Sequence, residues 1–193
     1  MVQRHATALE TILLILVIEI ACLGALMALA ALLSAGSDTS AAGERSGKTP
    51  LHTACEHGKS MAVAALLAAR ADIAALDAKG STPLHWASKS GATDAVSCLL
   101  AARAAPDVVT RSGSSAIHLA CEAASPHCVA LLLEANASYD VCDAQGIRPL
   151  HAASAVGSRQ CLELLVTAKA DLCSALFIQV SICAWLQSAF SAH

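Results

Sequence analysis

Aliphatic residues recur along this chain at i, i+3 and i+4, and the group itself recurs at a fixed interval. Val63 with Leu66-Leu67, Val96 with Leu99-Leu100, Val129 with Leu132-Leu133 and Leu162 with Leu165-Val166 stand 33 residues apart. That spacing puts one buried stripe on each of four helices. Upstream of each stripe lies a second recurring group: Gly47-Lys48-Thr49-Pro50-Leu51-His52, then Gly80 to His85, Gly113 to His118 and Gly146 to His151. Ala54, Ala87, Ala120 and Ala153 follow two residues after each histidine. Each unit is therefore predicted to be a turn, a short helix and a longer helix, repeated by stacking.

The turn has a local cause. Asp77 and Asp143 each precede by three residues a glycine, Gly80 or Gly146, that tolerates positive φ. Thr49-Pro50 and Thr82-Pro83 then start a helix, the hydroxyl as cap and the proline at the first helical position, where no N–H is needed. Arg148-Pro149 keeps the proline alone, and Ser115-Ala116 keeps the hydroxyl alone.

With this period and its Thr-Pro-Leu-His-x-Ala signature, the chain resembles the ankyrin-repeat family. The resemblance covers residues 44–171 as four repeats, 44–76, 77–109, 110–142 and 143–171, and implies an all-α solenoid of stacked helix-turn-helix units with short β-turn or hairpin tips. Two departures fall in the third unit. Thr110 replaces the turn aspartate, and Ala124 stands where Gly58, Gly91 and Gly157 separate the helices of the other units. That unit is expected to be the loosest.

The flanks are apolar. Residues 12–33 form a run of 22 residues broken only by Glu19 and Gly24, long enough to cross a bilayer. Yet Met27 to Asp38 matches Met61 to Asp72 at eight of twelve positions. Residues 1–43 therefore read as a degenerate repeat, with a membrane anchor as the rival. Residues 172–193 contain no Asp, Glu, Lys or Arg and read as an apolar cap or a broken fifth repeat. One or two short helices folded against the last repeat are expected there.

Composition adds constraints. The chain is 56% hydrophobic and 3% aromatic, so its core must be Ala and Leu between closely packed helices. A net charge of −3 argues against sequence-independent nucleic-acid binding, which needs clustered Lys and Arg. Nine cysteines show no Cys-x-x-Cys spacing. Cys55 and Cys121 share a slot with Ser88 and Ser154, and Cys128 and Cys161 share one with Ala62 and Ala95. They read as small buried side chains of a protein in a reducing compartment.

The chemistry-bearing residues give no enzyme. His52, His85, His118 and His151 belong to helices about 8 to 10 Å apart, too far to share one ion, so no metal is expected. The His52-x-x-Cys55 and His118-x-x-Cys121 pairs lie two repeats apart and lack an orienting group or an oxyanion hole. No phosphate loop or dinucleotide fingerprint occurs, and neither a cofactor nor a small-molecule substrate is implied. By the family resemblance the histidines bond turn backbone and lock neighbouring repeats, with Gly47, Gly80, Gly113 and Gly146 as the structural turn positions.

The resemblance also implies a concave groove that binds a protein partner. It maps onto Arg45, Lys48, Glu56 and His57 in the first unit and Lys79, Ser81 and Lys89 in the second. Arg111, Ser114 and Glu122 follow in the third and Gln145 in the fourth. Basic residues lead, which suits an acidic or phosphorylated segment, although the same residues also read as ordinary solvated charges. Trp86 reads as half-buried packing rather than an interface anchor. The function expected is that of an intracellular adaptor or scaffold. The alternatives are a membrane-tethered form anchored by residues 12–33, with cytoplasmic repeats, and a regulatory or targeting region of a larger enzyme or channel.

Overall fold

A computed structural model describes residues 46–168, together with Thr39. Eight helices follow one another in pairs. They are α1 (Pro50–Glu56) and α2 (Ser60–Ala68), α3 (Pro83–Lys89) and α4 (Thr93–Ala101), α5 (Ala116–Glu122) and α6 (Pro126–Glu134), and α7 (Pro149–Val156) and α8 (Arg159–Thr167). The short helices stack in one row, α1 on α3 on α5 on α7, and the long ones in a second row, α2 on α4 on α6 on α8. Among the described residues the only β pairing is an isolated bridge between Val109 and Ser115.

The recurring apolar positions fill the space between the rows. Leu51, Val63 and Leu66 are buried in the first unit, and Leu84, Val96 and Leu99 in the second. Ile117, Val129 and Leu132 fill the third, and Leu150, Leu162 and Leu165 the fourth. Each such side chain contributes about 1.5 to 3 kcal/mol by leaving water. Because adjoining units cover one another's side chains, a single unit removed from the stack would lose much of that contribution.

Each short helix starts as its sequence prescribes. Thr49, Thr82 and Ser115 form capping boxes with the histidine three residues on, and Pro50, Pro83 and Pro149 open their helices. The tips before α3, α5 and α7 fold back on themselves, with Asp77 N–H donating to Ser81 O (3.0 Å), Thr110 N–H to Ser114 O (3.0 Å) and Asp143 N–H to Ile147 O (2.9 Å). Successive tips are also tied together. Ala78 N–H donates to Ser46 O (3.0 Å), Arg111 N–H to Lys79 O (3.0 Å) and Ala144 N–H to Ser112 O (2.9 Å).

The third unit closes with the same backbone hydrogen bonds as its neighbours despite both sequence departures. At the corner between its helices Ser125 N–H reaches Ala120 O (3.0 Å), as Lys59 reaches Ala54 and Ala92 reaches Ala87. To do so Ala124 adopts φ +50°, the left-handed region that glycine occupies at the other corners. A Cβ there costs about 1 to 2 kcal/mol, part of which glycine returns as unfolded-chain entropy. Ala124→Gly is therefore expected to stabilise the protein by about 0.5 to 1 kcal/mol. An unchanged or lowered urea midpoint would show that the corner carries no strain.

The thiols behave as small apolar side chains. Cys55, Cys121, Cys128 and Cys161 are buried, Cys98 is half-buried, and all six cysteines of the described residues are free. Burial, with Cys98 nearby, pushes the Cys55 thiol up to about 12, and burial likewise raises Cys121 and Cys161. Such thiols stay protonated and unreactive at neutral pH. Ser88, in the slot that Cys55 and Cys121 fill, buries a hydroxyl with no hydrogen-bond partner. Cys142 is the exposed exception and accepts a bond from Arg148 Nε at 3.3 Å.

Candidate partner-binding groove

Two of the histidines tie neighbouring units together. Thr49 N–H and the Thr49 hydroxyl both reach His52 Nδ1, at 3.1 and 2.9 Å. A backbone N–H can only donate, so Nδ1 is the acceptor, and the ring proton sits on Nε2. From there it is donated to Ser81 O in the next unit, at 3.0 Å. His118 repeats the arrangement between Ser115 and Ile147 O, with Nε2 again 3.0 Å from the carbonyl. His85 takes the Thr82 N–H at Nδ1, but its buried Nε2 closes no hydrogen bond. Burial holds His52, His85 and His118 below their ordinary value, and His151 too, by burial and then by Arg148.

Between the second and third units, the junction at which His85 closes no such bond, lies a cleft of about 400 Å³. One wall is built by Asp77. Its Oδ1 accepts the N–H groups of Lys79 (2.8 Å) and Ser81 (2.7 Å), and its Oδ2 accepts Trp86 Nε1 (3.0 Å). Burial alone would raise the Asp77 carboxyl, but the bonds from Ser81, Trp86 and Lys79 outweigh it and hold the group below its usual value. One carboxylate thus fixes both the tip and the indole.

Trp86 is half-buried and lines the cleft. Lys48 Nζ sits 3.6 Å from the centre of its ring and also pairs with Glu56 at 2.6 Å, while Lys89 Nζ lies 5.4 Å from the ring. Each such cation contributes about 0.5 to 1 kcal/mol at an exposed site.

Of the groove residues expected from sequence, Lys79, Ser81, Lys89, Arg111 and Ser114 converge on this cleft. Ser81 and Ser114 are buried and form its floor. Lys48 and Glu56 reach its edge through Trp86. His57, Glu122 and Gln145 are exposed but do not line it, and Arg45 lies outside the described residues. Thr110, Ser112, Leu119 and Trp86 line it in addition. The one sequence signal for Trp86 was its rarity, since Tyr139 is the only other aromatic of the repeats.

Comparison with known families agrees with this architecture. A family model described as ankyrin repeats (3 copies) matches residues 17–110 and 93–175. The chain belongs to the ankyrin-repeat family. No curated protein matches it. Ankyrin repeats are in general modules for binding other proteins, and in general they are not catalytic. Among the described residues no helix is long and apolar enough to cross a membrane, and no group of three His, Cys, Asp or Glu side chains is placed to hold a metal. The apolar run 12–33 and the tail 172–193 lie outside the described residues.

Proposed function

We propose that this ankyrin chain is an adaptor or scaffold that holds a protein partner in the groove across its second and third repeats, through an acidic or phosphorylated segment of that partner. The observation that carries the proposal is the cleft itself. Lys79, Lys89 and Arg111 line it, and no carboxylate pairs with any of the three among the described residues. Cations without a carboxylate partner suit an anionic ligand, because charge-assisted bonds are about twice as strong as neutral ones. The fourth repeat offers no equivalent, since Ala144, Gln145, Ile147, Ala155 and Val156 stand at the same positions.

Affinity capture from cells with the whole chain and with the variant Lys79→Ala, Lys89→Ala, Arg111→Ala tests this. Loss of the captured proteins from the variant is expected, with the fold unchanged because the three side chains are exposed. An identical set of captured proteins would reject the basic groove.

The family match starts at residue 17, inside the apolar run, which favours a degenerate repeat over a membrane anchor for residues 1–43. At the other end Ile147 is 37% exposed, whereas Ser81 and Ser114 at its register are 7% and 8% exposed. An apolar cap from residues 172–193 suits that uncovered face. Free buried thiols favour a reducing, intracellular location.

A further inference from the structure

The turn of the third unit lacks a group that its neighbours possess. In the second unit Asp77 Oδ1 accepts two tip N–H groups, those of Lys79 and Ser81. In the fourth, Asp143 Oδ1 accepts the N–H groups of Gln145 and Ile147, both at 2.8 Å. Thr110 holds that register in the third unit and supplies a hydroxyl instead. It accepts the Ser114 N–H at a longer 3.2 Å and meets the Ser112 hydroxyl at 2.8 Å. The Ser112 N–H, equivalent to those of Lys79 and Gln145, has no partner among the described residues.

The missing carboxylate falls where the cleft lies. Thr110, Arg111 and Ser112 line it from the third unit, and Lys79 and Lys89 from the second. Arg111 and Ser112 are exposed. We infer that the Thr110–Ser114 turn is a receptor site for one anionic side chain of the partner, a glutamate or aspartate carboxylate or a phosphoryl group. The Ser112 N–H and one of the Thr110 and Ser112 hydroxyls donate to it, the other hydroxyl keeping their mutual bond, and Arg111 and Lys79 neutralise it. The chemistry is shared by both sources, because an anion that accepts a backbone N–H and a guanidinium bond is satisfied as a turn aspartate is. This inference rests on the groove being the partner site.

Thr110→Asp separates this role from a merely structural one. Restoring the carboxylate is expected to cap the Ser112 and Ser114 N–H groups, raising the melting temperature, while it repels an incoming anion. Binding to the full chain is followed by fluorescence anisotropy of a labelled glutamate-rich peptide, its glutamine counterpart and its phosphoserine counterpart. The glutamate or phosphoserine peptide should bind at least roughly tenfold more tightly than the glutamine peptide, a difference of about one charged hydrogen bond. Whichever of the two binds tighter identifies the source. Thr110→Asp should weaken that binding by a similar factor, and Arg111→Ala should weaken it with the melting temperature unmoved.

Glutamate, phosphoserine and glutamine peptides binding alike would overturn the inference. So would a Thr110→Asp chain that is more stable and binds as before, or no binding of any peptide by a chain that still captures proteins from cells. The last result would leave the groove as a partner site and remove only the anion receptor. If the captured proteins are also indifferent to Lys79, Lys89 and Arg111, the groove proposal fails as well.

Discussion

Between pH 7 and pH 5 the stability of this protein is expected to fall steeply, well before its carboxylates titrate. His52, His85 and His118 are between 0% and 1% exposed, and each uses Nδ1 as an acceptor for the backbone N–H of its cap residue. Protonating Nδ1 would set two donors against each other, and burial disfavours the charged ring as well. Their folded-state values therefore lie below 6.5 while the unfolded chain titrates there, so the unfolded state takes up more protons as acid is added. The stabilisation is complete above pH 6.5 and is lost as the pH falls from 6.5 toward the folded-state values. Each ring that stays neutral in the fold contributes a slope of up to about 1.4 kcal/mol per pH unit, and the three together up to about 4. Against a total stability of about 5 to 15 kcal/mol, a loss on that scale is a large fraction of what holds the chain folded. Asp77 acts in the same direction but only below pH 3.8, its ordinary value. Urea midpoints measured at steps from pH 7.5 to 5 check this. A midpoint that stays level to pH 5.5 would contradict the neutral-imidazole lock, and His118→Gln should flatten the profile by about a third.

The histidine lock was legible only through the family resemblance, and it closes at His52 and His118 but not at His85, whereas most of the fold was legible because it recurs. Four copies of one pattern repeat each signal, so the helices and the buried Val63, Leu66, Val96 and Leu99 fall where the i, i+3 spacing puts them. The limit shows at the second member of each aliphatic pair. Leu67, Leu100 and Leu133 are only half-buried and Val166 is 45% exposed, because a row of helices stacked on two sides covers a narrower stripe than i, i+3 and i+4 together.

The cleft was less legible. Sequence register placed Ser81 and Ser114 among the groove residues, but the tip folds back over them and their backbone is used by the turn and, at Ser81, by His52. The Trp86 constellation joins Asp77 in its own unit to Lys48 in the previous one. A contact across repeats is specific to one pair of units, so the period that reveals the helices cannot reveal it. The same holds for the unpaired state of Lys79, Lys89 and Arg111, which depends on where every carboxylate lies. What the sequence did expose was the substitution at Thr110, and its consequence became visible only when the tip N–H groups could be followed.

Gly113→Ala is expected to be far more damaging than Gly146→Ala, and the reason lies between units rather than within one. Gly113 has φ +77°, which costs a non-glycine residue about 1 to 2 kcal/mol. Gly146 has the same φ, and a Cβ there would meet nothing within 4 Å. A Cβ on Gly113 would lie 2.7 Å from Ala144 N and 3.1 Å from Asp143 C, both backbone atoms of the next tip. Neither can rotate aside, and Ala144 N is the atom that donates to Ser112 O across the repeats. Overpacking of this kind adds about 1 to 3 kcal/mol. The expected losses are therefore about 3 kcal/mol for Gly113→Ala against about 1 for Gly146→Ala, read from urea unfolding. Because the clash separates the third and fourth tips, Gly113→Ala should also broaden the transition, as neighbouring repeats cease to unfold together. Equal losses at the two glycines would mean that the tips are not in register contact, and the ladder of tip bonds that shapes the groove would have to be abandoned.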